Sequence, residues 1–358
     1  MKRKVIFVNA SLTDGGSERV MATLANSMAD MGHEVTMILV RNKKRTYEVN
    51  DKVNCIQITY ARSNLLYNMV RRIHEIRRIV KSINDSTIVS FMTDINILTL
   101  LACFRLHRRV IISERAHPLR GTNKQSKKPF YARILIKLLY PLADAIVFQT
   151  EYAKKCYPKN IQKKGYIIPN PISTNLPDIY YGKRKKVIVA AGRLNKQKNF
   201  PLLISAFSKV VKKHEDYQLI IYGQGALLEE LKDLSRKLGI QDSIEFPGYV
   251  EELTEQIKDA AMYVSSSDFE GISNSMLEAM AMGLPVVCTD CPVGGAALVI
   301  KNNVNGKLVP VGDSYALRTA MYKIIEDESF AQELSREAVK VREQYHVSKI
   351  CKVWLDII

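Results

Sequence analysis

The sequence predicts an α/β protein of two doubly wound parallel-sheet domains facing a central cleft, and three observations carry that reading. Apolar strands, polar turns and periodic helices alternate from residue 5 onward; Pro169, Pro171 and Pro177 then mark a loop; and the same alternation restarts at Val187. A length of 358 residues also suits two domains better than one, at roughly 150 residues per domain. The first domain opens with a strand at Val5–Asn9, the turn Asp14-Gly15-Gly16-Ser17, a helix over Glu18–Met31 and a strand at Val35–Val40, which is a βαβ unit. Short β-rich runs follow at Ile88–Phe91, Val110–Ser113, Ala145–Gln149 and Tyr166–Ile168, with helical stretches between them, as a sheet covered on both faces requires. In the second domain the spacing predicts strands at Val187–Ala191, Gln218–Tyr222, Ile244–Phe246, Met262–Ser265 and Pro285–Thr289. Helices are expected over Pro201–His214 and Ala226–Leu238, from Ser275, and from Ser314 to the end. The expected domains are 1–175 and 183–344, and the closing stretch, about 345–358, is expected to pack back on the first.

Charge divides unequally between these halves. The net +17 lies entirely in residues 1–180, with 30 Lys and Arg against 13 Asp and Glu, while residues 181–358 hold 23 of each. A field confined to one half fits an acidic partner for that half: nucleic acid, anionic lipid or a phosphate-bearing substrate. Nucleic acid is disfavoured, because no RNP-type strand or zinc-finger spacing occurs and aromatics are not interleaved with the basic residues. Over Arg62–Asn84, Leu65, Met69, Ile73, Ile76 and Val80 recur at three- and four-residue steps among Arg71, Arg72, Arg77, Arg78 and Lys81. Such a basic amphipathic helix either lies on a membrane surface or packs its stripe into the core. The run Val5–Ala10 is too short for a signal-peptide core, and the apolar window Ile134–Phe148 is broken by Lys137, Pro141 and Asp144, short of the ~20 residues a bilayer crossing needs. Six scattered cysteines suit reduced thiols.

Several reaction classes lack their residues. Gly306-Lys307 is followed by Leu308, so a Walker phosphate loop has no hydroxyl for magnesium, and the His-Glu pairs at 33, 74 and 214 lack a second histidine at zinc spacing. No Asp-x-Asp cluster occurs, so a phosphate-bearing substrate must be handled without a metal. Cys288-x-x-Cys291 stands alone, which favours two buried or loop thiols over a metal or redox site.

Three places carry candidate chemistry. The turn at Gly15-Gly16 opens a helix, where N–H groups and the dipole attract anions, although glycines also serve plain strand-to-helix reversals. At the end of the first strand of the second domain, Gly192-Arg193-Leu194 is followed by Lys198; a guanidinium fork and an ammonium there suit a diphosphate. The most specific segment runs from Ser265 to Ala279, with Glu270 in the loop after a strand and Glu278 eight residues on, in the next helix. Gly271, Ile272, Ser273, Asn274 and Ser275 between them offer caps and backbone N–H groups to an anion. Glu278 can accept from the vicinal hydroxyls of a ribose and Glu270 from sugar hydroxyls beside the phosphates; the competing reading of Glu278 is a capping box, Ser275-x-x-Glu278.

In this order of motifs the chain resembles the family 4 retaining glycosyltransferases, which have the GT-B fold and a Glu-x7-Glu motif. The likeness also includes Ser113-Glu114-Arg115-Ala116-His117-Pro118, Tyr222-Gly223-Gln224-Gly225, Phe246-Pro247-Gly248 and Asn305-Gly306-Lys307-Leu308-Val309. The resemblance implies that the first domain binds the acceptor and the second the nucleotide sugar. Arg193 and Lys198 would hold the donor diphosphate, Glu278 the ribose, and Glu270 with the backbone of 271–275 the donor sugar, with Gly16 close to that sugar. Catalytic roles fall to Glu270 and to His117, which would line the reaction centre. The implied activity is metal-independent transfer of a hexose or N-acetylhexosamine, with retention, from a UDP-linked donor to a lipid-linked glycan in bacterial capsule, O-antigen or lipooligosaccharide synthesis. No cofactor is implied, and the setting is cytoplasmic, peripheral on the inner membrane face, with the basic first domain against anionic lipid. Two alternatives are a GT-B nucleotide-sugar epimerase and a non-catalytic partner that binds a nucleotide sugar or glycan for another transferase.

Overall fold

The computed structural model describes residues 2–13, 15–41, 46–58, 65–115 and 130–358, which fall into two compact units. One unit comprises the described chain up to Pro171 together with Val347–Ile358; the other is Ile172–His346.

The first unit holds β1 (Lys4–Asn9), β2 (Glu34–Leu39), β3 (Val53–Gln57), β4 (Ser86–Phe91), β5 (Val110–Glu114), β6 (Ala145–Phe148) and β7 (Gly165–Ile167) in one parallel sheet, order β3-β2-β1-β4-β5-β6-β7. Helices cover both faces of the central strands, so β4, β5 and β6 are buried at every residue, including the polar Ser86, Thr87 and Ser90 of β4 and Ser113 and Glu114 of β5. The covering helices include α1 (Gly16–Asp30), α2 (Leu65–Ser82), α3 (Thr93–Cys103) and α4 (Phe130–Leu139). The stripe of α2 goes partly inward: Ile76, Ile79 and Val80 are core, whereas Met69 and Val70, nearer its start, are exposed.

The second unit holds β8 (Lys185–Ala191), β9 (Gln218–Tyr222), β10 (Ile244–Gly248), β11 (Ala260–Ser265), β12 (Val286–Thr289) and β13 (Lys307–Val309), parallel in the order β10-β9-β8-β11-β12-β13. Its helices include α5 (Phe200–Val211), α6 (Leu228–Lys237), α7 (Asn274–Ala281), α8 (Ser314–Glu326) and α9 (Glu328–Ala338). One cluster of core residues lies under α5 and α8, with Phe207, Val210, Leu317 and Met321, and the other under α7, with Met276, Leu277 and Met280.

The closing helix α10 (Val347–Ile357) belongs to the first unit, where it packs on α1. Trp354 is fully buried with its ring 5.7 Å from that of Phe91, and the Arg115 guanidinium stands 4.3 Å over Phe91, with Nη1 donating to Asn170 Oδ1 at 2.6 Å. Arg109 Nε donates to Ile357 O at 2.9 Å and Thr87 Oγ1 to Ile358 O at 3.0 Å, so the open carbonyls at the helix end are met by side chains of the sheet. Among the described residues no helix is long and apolar enough to cross a membrane.

Candidate functional site

The second sheet reverses its strand order between β8 and β11. In open parallel sheets the carboxyl ends of the strands at such a switch point are where ligands bind. β8 runs out into Gly192-Arg193 and β11 into Ser266-Ser267-Asp268, and the two loops are stitched to each other. Asp268 N–H donates to Gln197 O at 2.9 Å, Gln197 Nε2 to Phe269 O at 3.1 Å, Asn199 Nδ2 to Asp268 Oδ1 at 2.8 Å and Ser266 Oγ to Lys198 O at 2.9 Å. Thr289 Oγ1 anchors the second loop to β12 by donating to Ser267 O at 2.6 Å.

This stitching presents one ion pair. Lys198 Nζ donates to Glu270 Oε2 at 2.6 Å, and Ser267 Oγ donates to the same oxygen at 3.2 Å. The side chains of Lys198 and Glu270 are 14% and 21% exposed, dry enough for their charges to count and open enough for a ligand to reach them. Burial is the largest single influence on the Lys198 ammonium and penalises it, but the charge of Glu270, the neighbouring Tyr263 and the hydrogen bond to Glu270 together outweigh burial and hold the lysine pKa above its ordinary value.

Around the pair, backbone packs directly on backbone. A methyl group on Gly223 would lie 2.0 Å from Gly192 O, and one on Gly295 would lie 1.9 Å from Gly271 O. Only residues without a Cβ allow that approach, and it leaves the floor of the site lined by peptide groups.

The capping box read in the sequence is not formed. Ser273, Asn274 and Ser275 are all good caps, but Ser273 takes the extended conformation that starts α7, and its Oγ accepts from Met276 N–H at 3.4 Å. The box position three residues on is therefore Met276, and Glu278 falls in the second turn, buried. The Ser275 hydroxyl lies 2.8 Å from the hydroxyl of Tyr263, a fully buried side chain of β11 that also reaches toward Ala191 O at 3.4 Å, and so ties α7 to the end of β8.

The structure thus brings Lys198 and Glu270 into contact and sets Gly271, Ile272, Ser273, Asn274 and Ser275 in the loop and first turn that follow, with Arg193 exposed in the β8 loop. All of these belong to the second unit. Gly16 is in the first unit, at the start of α1. There Glu18 folds back, accepting from Gly15 N–H at 2.9 Å and from the Ser11 and Thr13 hydroxyls at 2.6 and 3.1 Å. A carboxylate in the mouth of that turn favours a local cap over an anion site. His117 lies outside the described residues. Sequence reading missed Gln197, Asn199, Asp268 and Tyr263. The one available signal was Asn199 ahead of Phe200-Pro201, a helix start; it adopts a left-handed φ of 44° and its side chain serves Asp268 instead of the helix.

Among the described residues no three His, Cys, Asp or Glu side chains cluster as a metal site. Burial pushes the Cys288 thiol far up, and burial with the charge of Glu270 pushes Cys291 up to about 12. Both should therefore resist a disulfide reagent at neutral pH in the native protein, while half-buried Cys55 and Cys156 react first. Rapid labelling of Cys291, read by mass spectrometry, would revive the redox reading.

Two doubly wound units of this kind are the GT-B plan, an architecture of glycosyltransferases. The family profile described as Glycosyltransferase Family 4 matches residues 14–176, and that described as Glycosyl transferases group 1 matches residues 178–341. The chain is 27% identical over 362 residues, 99% of it and 98% of the relative, to a Campylobacter jejuni alpha-1,4-N-acetyl-D-galactosaminyltransferase named for a GalNAc-GalNAc-diNAcBac-PP-undecaprenol acceptor. It is 24% identical over the full length of both chains to the amylovoran biosynthesis glycosyltransferase AmsD of Erwinia amylovora. Among solved structures, Anabaena HepE in complex with UDP and glucose superposes with a TM-score of 0.82 at 16% identity, covering 99% of this chain and 98% of that one. The chain belongs to glycosyltransferase family 4 and is a glycosyltransferase with the GT-B fold.

Proposed function

We propose that this glycosyltransferase is retaining and metal-independent, and moves a hexose or N-acetylhexosamine from a UDP-sugar to a lipid-linked glycan at the inner face of the cytoplasmic membrane, in bacterial surface polysaccharide synthesis. The observation that carries the reading is the Lys198–Glu270 pair at the switch point, beside the N-terminus of α7. UDP bound to HepE supports the donor, and the undecaprenol-linked acceptor in the name of the Campylobacter relative supports the acceptor. The basic first half supports an anionic lipid surface as the setting.

The chemistry follows from charge. As the bond between the anomeric carbon and the diphosphate oxygen lengthens, negative charge grows on the departing diphosphate, and Arg193, Lys198 and the α7 N-terminus are placed in advance to stabilise it. The acceptor hydroxyl attacks the anomeric carbon on the face the diphosphate is leaving; its proton passes to the departing phosphate oxygen, and the nucleoside diphosphate is released. Glu270 orients the sugar: Oε2 is taken by Lys198 and Ser267, and Oε1 would accept from a sugar hydroxyl. Glu278 would hold the ribose, and His117 would line the reaction centre.

The test is hydrolysis and transfer across a panel of UDP- and GDP-sugars, with and without EDTA, and the anomeric configuration of the product read by NMR. One UDP-sugar should be consumed with retention and without metal, and Arg193→Ala should lower kcat/KM roughly tenfold or more, for loss of a charge-assisted contact of ~1.5–3 kcal/mol. Inversion, dependence on a divalent ion, an epimerised donor without acceptor, or an Arg193→Ala effect below about twofold would overturn the corresponding part.

A further inference from the structure

We infer that the outer face of α4 and the turn after it seats this protein on an anionic lipid leaflet, through Ile134, Leu138 and Leu142 with Arg133 and Lys137 beside them. The sequence of α4, Phe130–Leu139, is apolar except at Arg133 and Lys137, which share one side, and the apolar sides of such a helix are ordinarily buried. Here only the inner side is covered: Ile136 and the following Tyr140 are buried and Leu135 and Leu139 half-buried. Outward, Ile134 is 41% exposed, Leu138 65% and Leu142 48%. Their four-residue spacing sets 134 and 138 on one side of the helix, and Leu142 continues from the short turn Tyr140–Leu142. Arg133 and Lys137, at the same step and both exposed, run alongside.

An apolar stripe beside a cationic one is what a helix at a membrane interface presents. A second copy of the chain is a poorer occupant, because the half of the sequence that contains this face carries 30 basic against 13 acidic residues, and two such faces would repel. An anionic leaflet complements that charge and takes up the leucines as well. The helix the sequence put forward for this role, α2, sends Ile76, Ile79 and Val80 into the core instead. The face is observed independently of the proposed activity; only the choice of lipid as occupant rests on the lipid-linked acceptor.

The experiment is flotation of the full chain with vesicles of phosphatidylglycerol and phosphatidylcholine in equal parts, against phosphatidylcholine alone. The protein should float with the anionic vesicles, and Leu138→Ser/Leu142→Ser should reduce partitioning about tenfold or more while Tm holds, since both side chains are exposed. Undiminished flotation of that variant, loss carried by Met69→Ser/Val70→Ser alone, or a dimer in solution that Leu138→Ser disperses would each overturn the inference. Donor hydrolysis on the same samples separates the two readings: flotation without hydrolysis removes the transferase chemistry and keeps the face, and hydrolysis without flotation does the reverse.

Discussion

Lys198→Ala should lower kcat/KM by about 100- to 1,000-fold, the usual cost of removing one preorganised donor from a developing negative charge. The effect should fall mainly on kcat, because the charge the ammonium meets is largest when the bond to phosphate is nearly broken. Removing the lysine also leaves the Glu270 carboxylate with Ser267 alone, at the place proposed for a dianionic diphosphate. Lys198→Ala/Glu270→Ala should therefore bind UDP more tightly than Lys198→Ala, although neither turns over well. Calorimetry of UDP binding to the four proteins of this cycle checks it; affinities that fall by the product of the single effects would mean the two groups act independently. Protonation points the same way. A lysine whose pKa is raised on folding contributes its stabilisation fully below the unfolded value of about 10.4 and loses it as pH rises through the raised folded value, so no limb at neutral pH belongs to Lys198.

The pairing of positions 198 and 270 was legible in the sequence as a convergence of strand ends, because strand order and strand length fix where loops emerge. Its surroundings were not. Strand β3, Val53–Gln57, escaped notice because it is a partly exposed edge strand with Asn54 and Gln57 in place of apolar residues. β13 is only three residues long, too short for a period to show. The start of α7 was ambiguous because three adjacent residues can all cap a helix, and the choice of Ser273 depends on backbone angles that no residue type dictates. The clip of Gln197, Asn199 and Asp268 joins positions about 70 apart through polar groups of a kind common to loops. The outward face of α4 was hidden for the opposite reason. Its residues entered the sequence reading only as part of an apolar window too broken to cross a bilayer, and nothing in their pattern says which side stays uncovered.

Gly223→Ala should be the most damaging single-methyl change in the second unit. Two costs meet at that residue: a φ of +131°, which side chains rarely adopt, and a Cβ only 2.0 Å from Gly192 O, a backbone atom that cannot turn aside. Gly239→Ala isolates the first cost, with a φ of +67° and nothing within 4 Å of the new methyl group; it should lose roughly 1–2 kcal/mol and keep full activity. Gly295→Ala isolates the second, since its φ is ordinary and its methyl would lie 1.9 Å from Gly271 O. It should lower both stability and donor affinity, because relief of the contact must move the loop that follows Glu270. Gly223→Ala should lose about 4 kcal/mol or more and, where it still folds, should release UDP, because Gly192 can retreat only by shifting the loop that carries Arg193 and Lys198. Thermal unfolding and UDP binding of the three variants together decide the matter. If Gly223→Ala matched Gly239→Ala in both measurements, the close approach of β8 and β9 would not be what shapes the site.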